Sequence, residues 1–174
     1  MRRRFRPLLQ RLHILPPLIE QLDLLFDQAR LEPGDTVVDV GALLTPEAAK
    51  RVAPDGVVLA VDPSVDRLDD VRRASVAPNV FYLVGSADVL PLPDAEVDAI
   101  LVPLSVTDRQ TAAEFNRVLP SGGLVAVFES DEDRTDSALN LGERELHQIF
   151  ADAGFVEVTV ASAQGRLYCT ARKP

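Results

Sequence analysis

The sequence predicts an α/β fold in which a mostly parallel, doubly wound sheet carries helices on both faces and ends in an antiparallel hairpin strand. Three observations predict it. From Thr36 onward, short β-branched runs alternate with stretches whose apolar residues recur at three- and four-residue spacing. The connections between them are short and rich in Gly, Pro, Asp and Ser. The last two runs face each other across Gln164-Gly165, which suits a hairpin rather than a helical crossover.

Residues 1 to 32 read as two amphipathic helices. Phe5, Leu8, Leu9 and Leu12 form one stripe, Leu18, Ile19, Leu22, Leu25 and Phe26 form another, and Pro16-Pro17 breaks the pattern between them. They make an N-terminal extension, a packing element or a lid, to a domain spanning 33 to 174. After the turn Glu32 to Asp35, the first strand is Thr36 to Val40 and a helix runs near Pro46 to Val52. Pro54-Asp55-Gly56 turns the chain into a second strand, Val57 to Val61, followed by a helix from Val65 to Ala74. Val80 to Val84 and Val97 to Val102 are the third and fourth strands. A helix over Asp108 to Leu119 ends at Pro120-Ser121-Gly122-Gly123 and leads to a fifth strand, Leu124 to Phe128. Glu143 to Ala153 is the last helix, with Leu146, Ile149 and Phe150 inward, and Val156 to Val160 and Arg166 to Ala171 form the closing hairpin.

At 174 residues the chain suits one well-buried domain, and its hydrophobic fraction of 47% is ordinary for a globular protein. The formal charge of -9 is unevenly spread. The first nineteen residues hold five arginines and no acids, which leaves 13 basic against 27 acidic side chains elsewhere. An acidic body argues against a nucleic-acid groove. The basic start could instead touch a membrane surface or pair with the acidic body. Cys169 is the single cysteine, which excludes an internal disulfide and a cysteine-rich zinc site and suits the reducing cytoplasm, the expected location. No apolar run approaches membrane-spanning length, no metal site is expected, and a homodimer stays open.

In an open α/β sheet, ligands bind beyond the carboxyl ends of the strands, which directs attention to the loop Gly41-Ala42-Leu43-Leu44 after the first strand. Asp39 lies within that strand, where an unpaired carboxylate is costly, so it must cap the following loop or face a ligand. Asp62-Pro63 ends the second strand, twenty-one residues beyond Gly41. An acid so placed can accept hydrogen bonds from both hydroxyls of a ribose, or it can be an ordinary turn acid.

Five segments then combine: VVDVG at the first strand, LAVDPS at the second, GSADVLPLPDAEVDAILV across the third and fourth, AEFNRVLPSGGLVAVFE at the fifth and ELHQIFADAGFVEVTV near the end. In this order and spacing they resemble the motifs of class I S-adenosylmethionine-dependent methyltransferases, most closely the branch related to quinone-ring methyltransferases. The resemblance covers Pro33 to the C-terminus and implies a Rossmann-like fold. It implies that S-adenosylmethionine lies over Asp39, Gly41 and Ala42, that Asp62, with Pro63 beside it, holds the ribose, and that Ser86, Ala87, Asp88 and Val89 hold the adenine. Pro103 to Ser105 would line the mouth near the reactive methyl group.

The sequence also departs from the family. Where the pattern reads Gly-x-Gly-x-Gly, Leu43 and Thr45 occupy the second and third glycine positions, and a leucine side chain there can fill the volume the cofactor needs. Ser86 replaces an acid or amide, and Pro103 offers only its carbonyl. No catalytic base emerges: His13 and His147 are isolated, and methyl transfer needs chiefly an aligned, desolvated donor and acceptor. This leaves two principal readings. The first is methyl transfer from S-adenosylmethionine to a small or apolar acceptor, and the second is a degenerate methyltransferase-fold module that binds a partner and no cofactor. A nicotinamide oxidoreductase ranks below both, since the glycines it requires are still less complete.

Overall fold

The computed structural model describes residues 25–75, 77–103, 108–129, 142–163 and 166–174. The strands are β1 Thr36–Val40, β2 Val57–Asp62, β3 Val80–Val84, β4 Ala99–Pro103, β5 Leu124–Glu129, β6 Val156–Ala163 and β7 Arg166–Arg172. The helices between them are α1 Thr45–Val52, α2 Val65–Ala74, α3 Arg109–Val118 and α4 Glu143–Asp152. Before β1, residues 25–29 are helical; the rest of the expected N-terminal helical pair lies outside the described residues.

The sheet order is β3-β2-β1-β4-β5-β7-β6, with β7 antiparallel to both β5 and β6 and the other neighbours parallel. The predicted closing hairpin is present, although its turn lies outside the described residues. Strand order reverses between β1 and β4, the position beyond whose carboxyl strand ends open α/β sheets form their ligand crevice.

Alternation along the central strands assigns the two faces. Val37, Val58, Leu101 and Ala126 pack with α1 and with Leu25, Phe26 and Ala29, while Leu68 and Val71 of α2 cover Ala60. Val38, Val40, Ile100, Val102 and Val127 pack on the opposite face with Phe115 of α3 and Leu146 and Phe150 of α4. Strands buried on both faces explain why β4 is apolar throughout, as parallel strands are when helices cover both sides.

Two of the boundaries that differ from those expected do so for a backbone reason. The fourth strand begins at Ala99 rather than Val97, because the amides of Ala95, Glu96 and Val97 donate to Arg117 and Val118 carbonyls at the end of α3. Those orphan carbonyls take the donors that a strand would have used. Helix α3 begins at Arg109 because Asp108 is its cap, with Oδ1 accepting from the Thr111 amide at 2.8 Å.

Phe115 is fully buried among the residues of α3, α4 and the sheet. Phe115→Ala is expected to cost about 3–5 kcal/mol, the usual range for removing a buried aromatic ring. Urea unfolding should show a lowered midpoint at unchanged slope, whereas a loss below about 1 kcal/mol would contradict this packing.

Candidate functional site

The crevice takes its shape from the loop that leaves β1. Gly41 adopts φ +82°, a conformation that favours glycine, and its amide donates to the Val61 carbonyl at 2.7 Å, so the loop leaves β1 already tied to β2. Ala42 follows with φ 52°, also left-handed, and is fully buried. No atom beyond the neighbouring residues lies within 4 Å of the position a Cβ would take on Gly41. The loop backbone therefore faces open space.

Leu43 and Leu44 do not fill that space. Both are buried in the apolar cluster that includes Leu25, Phe26, Ala48 and Val52. Thr45 is equally purposeful: it opens α1, and its hydroxyl donates to Asp39 Oδ2 at 2.6 Å.

Asp39 organises this turn from inside the sheet. Its Oδ2 also accepts from the Leu44 amide at 2.8 Å, so one carboxylate oxygen holds the end of the loop and the start of the helix together. The other oxygen, Oδ1, is buried and has no hydrogen-bond partner among the described residues. Burial pushes the Asp39 carboxyl from its ordinary 3.8 up to about 7, against the pull of the Thr45 hydroxyl, the Leu44 and Thr45 amides and the charge of Arg67.

At the end of β2, Asp62 is buried and engaged on both oxygens. Oδ1 accepts from the Ser64 amide at 2.8 Å and Oδ2 pairs with Arg67 Nε at 3.1 Å. The same Arg67 Nε donates to the Gly41 carbonyl at 2.8 Å. Arg67 thus joins the loop after β1 to the acid after β2, a role that sequence reasoning missed. A signal was available. Arg67 lies in the first turn of α2, three residues after the capping Ser64, where the positive end of the helix disfavours a cation unless it has an acidic partner.

Ser86, Ala87, Asp88 and Val89 form a tight turn after β3, closed by the Val89 amide on the Ser86 carbonyl at 3.2 Å. The turn hangs from the site's own acid, because the Gly85 amide donates to the Asp62 carbonyl at 3.3 Å. On its far side, the Leu90 amide donates to Glu114 Oε1 at 2.7 Å, and Arg117 bonds the carbonyls of Leu90 and Leu92. Pro63 is exposed between Asp62 and Ser64, and Pro103 is the buried last residue of β4. Asp39, Gly41, Ala42, Asp62, Pro63, the 86–89 turn and Pro103 therefore lie at the carboxyl ends of β1, β2, β3 and β4. Ser105 and His13 lie outside the described residues, and His147 is on the exposed side of α4.

Two open clefts of about 400 and 470 Å³ share Arg30, Leu124 and Arg172; the first lies over β6 and β7 and the second is lined by Glu32, Asp35 and residues 120–124 leading into β5. None of the sequence-predicted site residues lines them.

The proton on Asp39 has a measurable consequence. Between pH 4 and pH 7 the folded protein keeps a proton that the unfolded chain has released, so this carboxyl makes stability fall as pH rises through that window and level off above it. Asp39→Asn keeps an oxygen acceptor for Leu44 and Thr45 and removes the titration. Urea unfolding at pH 4.5 and 7.5 should show wild type losing a few kcal/mol, in order of magnitude, that the variant keeps. Parallel behaviour of the two proteins would contradict the raised value.

Comparison with known proteins converges on one family. A family model described as a methyltransferase domain matches residues 38–127, a span that holds Asp39, the Gly41 loop, Asp62, the 86–89 turn and Pro103. An uncharacterized methyltransferase of Mycobacterium tuberculosis is 37% identical over 112 residues, covering 62% of this chain and 45% of the relative. A demethylmenaquinone methyltransferase of Symbiobacterium thermophilum is 33% identical over 117 residues, covering 60% of this chain and 46% of the relative. The chain thus spans about half the length of these curated relatives. Among solved structures, a SAM dependent methyltransferase from Aquifex aeolicus shares the fold, with a TM-score of 0.73, 24% identity, and coverage of 86% of this chain and 87% of that one.

Proposed function

We propose a function from the premise that this chain belongs to the class I S-adenosylmethionine-dependent methyltransferase family, whose methyltransferase domain model matches more than half of it. The function is methyl transfer from S-adenosylmethionine to a small or apolar acceptor. One observation carries it: within the matched span, the open loop at Gly41, the acid Asp62 and the turn at 86–89 lie side by side beyond the carboxyl ends of β1, β2 and β3, next to the point where strand order reverses.

The residues present fit the cofactor where the fit can be tested. A Cβ on Gly41 would project into open space, so its absence leaves room for a ligand rather than for a neighbouring side chain. The altered glycine positions do not close that room, since Leu43 and Leu44 are committed to the core and Thr45 to Asp39. In this reading Gly41 and Ala42 carry the methionine portion, Asp62 accepts from the ribose hydroxyls, and the turn at Ser86 to Val89 borders the adenine. Bound there, the cofactor supplies a methyl group activated by its sulfonium charge.

The chain's own part is positioning and exclusion of water. The Asp39 carboxyl fixes the loop through Leu44 and Thr45, so the loop amides and the Gly41 cradle are set before any ligand arrives. Glu114 and Arg117 fix the segment beyond the 86–89 turn. Among the described residues no histidine faces the crevice, which favours an acceptor that needs orientation and desolvation more than a strong base. A quinone-like ring is one such acceptor, and the demethylmenaquinone methyltransferase relative favours testing that class first.

Calorimetry with S-adenosylhomocysteine is the direct test. The wild-type chain is expected to bind it, and Asp62→Ala to lose at least tenfold in affinity, the order expected when a hydrogen-bonded carboxylate is removed. Gly41→Ala places a methyl group on the ligand side and strains a positive φ. It should weaken binding more than tenfold while costing only about 1 kcal/mol of stability. No binding by wild type at millimolar ligand would sink the reading.

A further inference from the structure

Asp62 is the acid that the methyltransferase reading assigns to a ribose, yet neither of its oxygens is idle. Oδ1 is held by the Ser64 amide at 2.8 Å, and Oδ2 faces Arg67 Nε at 3.1 Å. A carboxylate that receives both hydroxyls of a vicinal diol presents one oxygen to each. The Ser64 contact is a backbone turn within the chain and is part of how α2 begins. The Arg67 contact is different in kind, because it comes from a long side chain with 38% of its surface exposed, against 9% for Asp62. Of the two partners, the guanidinium is the one that can leave.

Leaving would release two elements together. The nitrogen that lies in ion-pair contact with Asp62 donates its single hydrogen to the Gly41 carbonyl at 2.8 Å, so the acid after β2 and the loop after β1 share one guanidinium. The same charge lies near enough to Asp39 to pull its carboxyl toward the ionised form.

The geometry points to a latch. Arg67 closes the ligand-free crevice by bridging Asp62 and Gly41, and the vicinal hydroxyls of a bound nucleoside compete with its guanidinium for the Asp62 carboxylate. Arg67 is therefore a positioning residue that sets cofactor affinity from outside the set of residues that hold the cofactor. The latch rests on the methyltransferase reading for the identity of the ligand and on the two contacts of Arg67 for its existence.

The test uses the full chain labelled with nitrogen-15, with S-adenosylhomocysteine as the probe. In the ligand-free protein the Arg67 Nε proton is expected to exchange slowly, and in Asp62→Asn to exchange faster. On adding the probe to wild type, that protection should be lost as the guanidinium is displaced. Arg67→Met keeps an unbranched side chain of similar reach in α2 and removes the competitor. It should bind the probe roughly three- to fivefold tighter, the size expected for an ion pair partly screened by solvent. A fast-exchanging Arg67 Nε proton in the free protein overturns the latch whatever the ligand does. Weaker or equal binding by Arg67→Met overturns it too, and makes Arg67 a direct contact or a bystander. If the proton is protected but neither protein binds the probe, the methyltransferase reading fails, and the competition falls with it while the bridge stands as structure.

Discussion

The site depends first on a single buried carboxyl. Asp39 sits in the central strand, and one of its oxygens accepts from both the Leu44 amide and the Thr45 hydroxyl. That pair of bonds fixes the path of four loop residues between β1 and α1. Without an acceptor at that point, the Leu44 amide would be a buried donor with no partner, and the helix would lose the anchor at its first turn. The constraint propagates outward. Because the loop is pinned at its far end and tied to the Val61 carbonyl at its near end, Gly41 is left as the residue whose backbone faces the crevice.

The same constraint directs the side chains of the unusual loop. A glycine-rich loop keeps the backbone close to a ligand by having no side chains to accommodate. In this chain the side chains at those positions are committed to other contacts. Leu43 and Leu44 join the apolar layer beneath α1, and Thr45 exchanges the freedom of a glycine for a hydrogen bond to Asp39. Hydrophobic burial of these two leucines adds to the packing around Leu25 and Phe26.

Much of the fold was legible because parallel strands buried on both faces leave a strong mark, namely unbroken β-branched and aliphatic runs separated by capped amphipathic helices. The residues at the carboxyl ends of β1 and β2 were legible for the same reason, since their positions are set by the ends of those runs. The illegible parts depended on contacts between segments. The start of β4 could not be read from Val97, because the donors of that stretch serve carbonyls at the end of α3. The direction taken by Leu43 could not be read either, because a leucine in a loop has no periodicity to say which side it joins. Arg67 was the largest omission. Its partners lie five residues back on β2 and twenty-six residues back after β1, and only the pairing of those strands brings them together.

Arg67 also resolves an electrostatic difficulty that the sequence leaves standing. The body of the chain is strongly acidic, and the crevice sets Asp39 and Asp62 on adjacent strands. Burial penalises the charged form of Asp39 and favours the protonated one. A nearby cation acts the other way. Arg67 pairs directly with Asp62 and draws Asp39 toward its ionised form, so the charge that would make the empty cleft costly is offset from within the helix after β2.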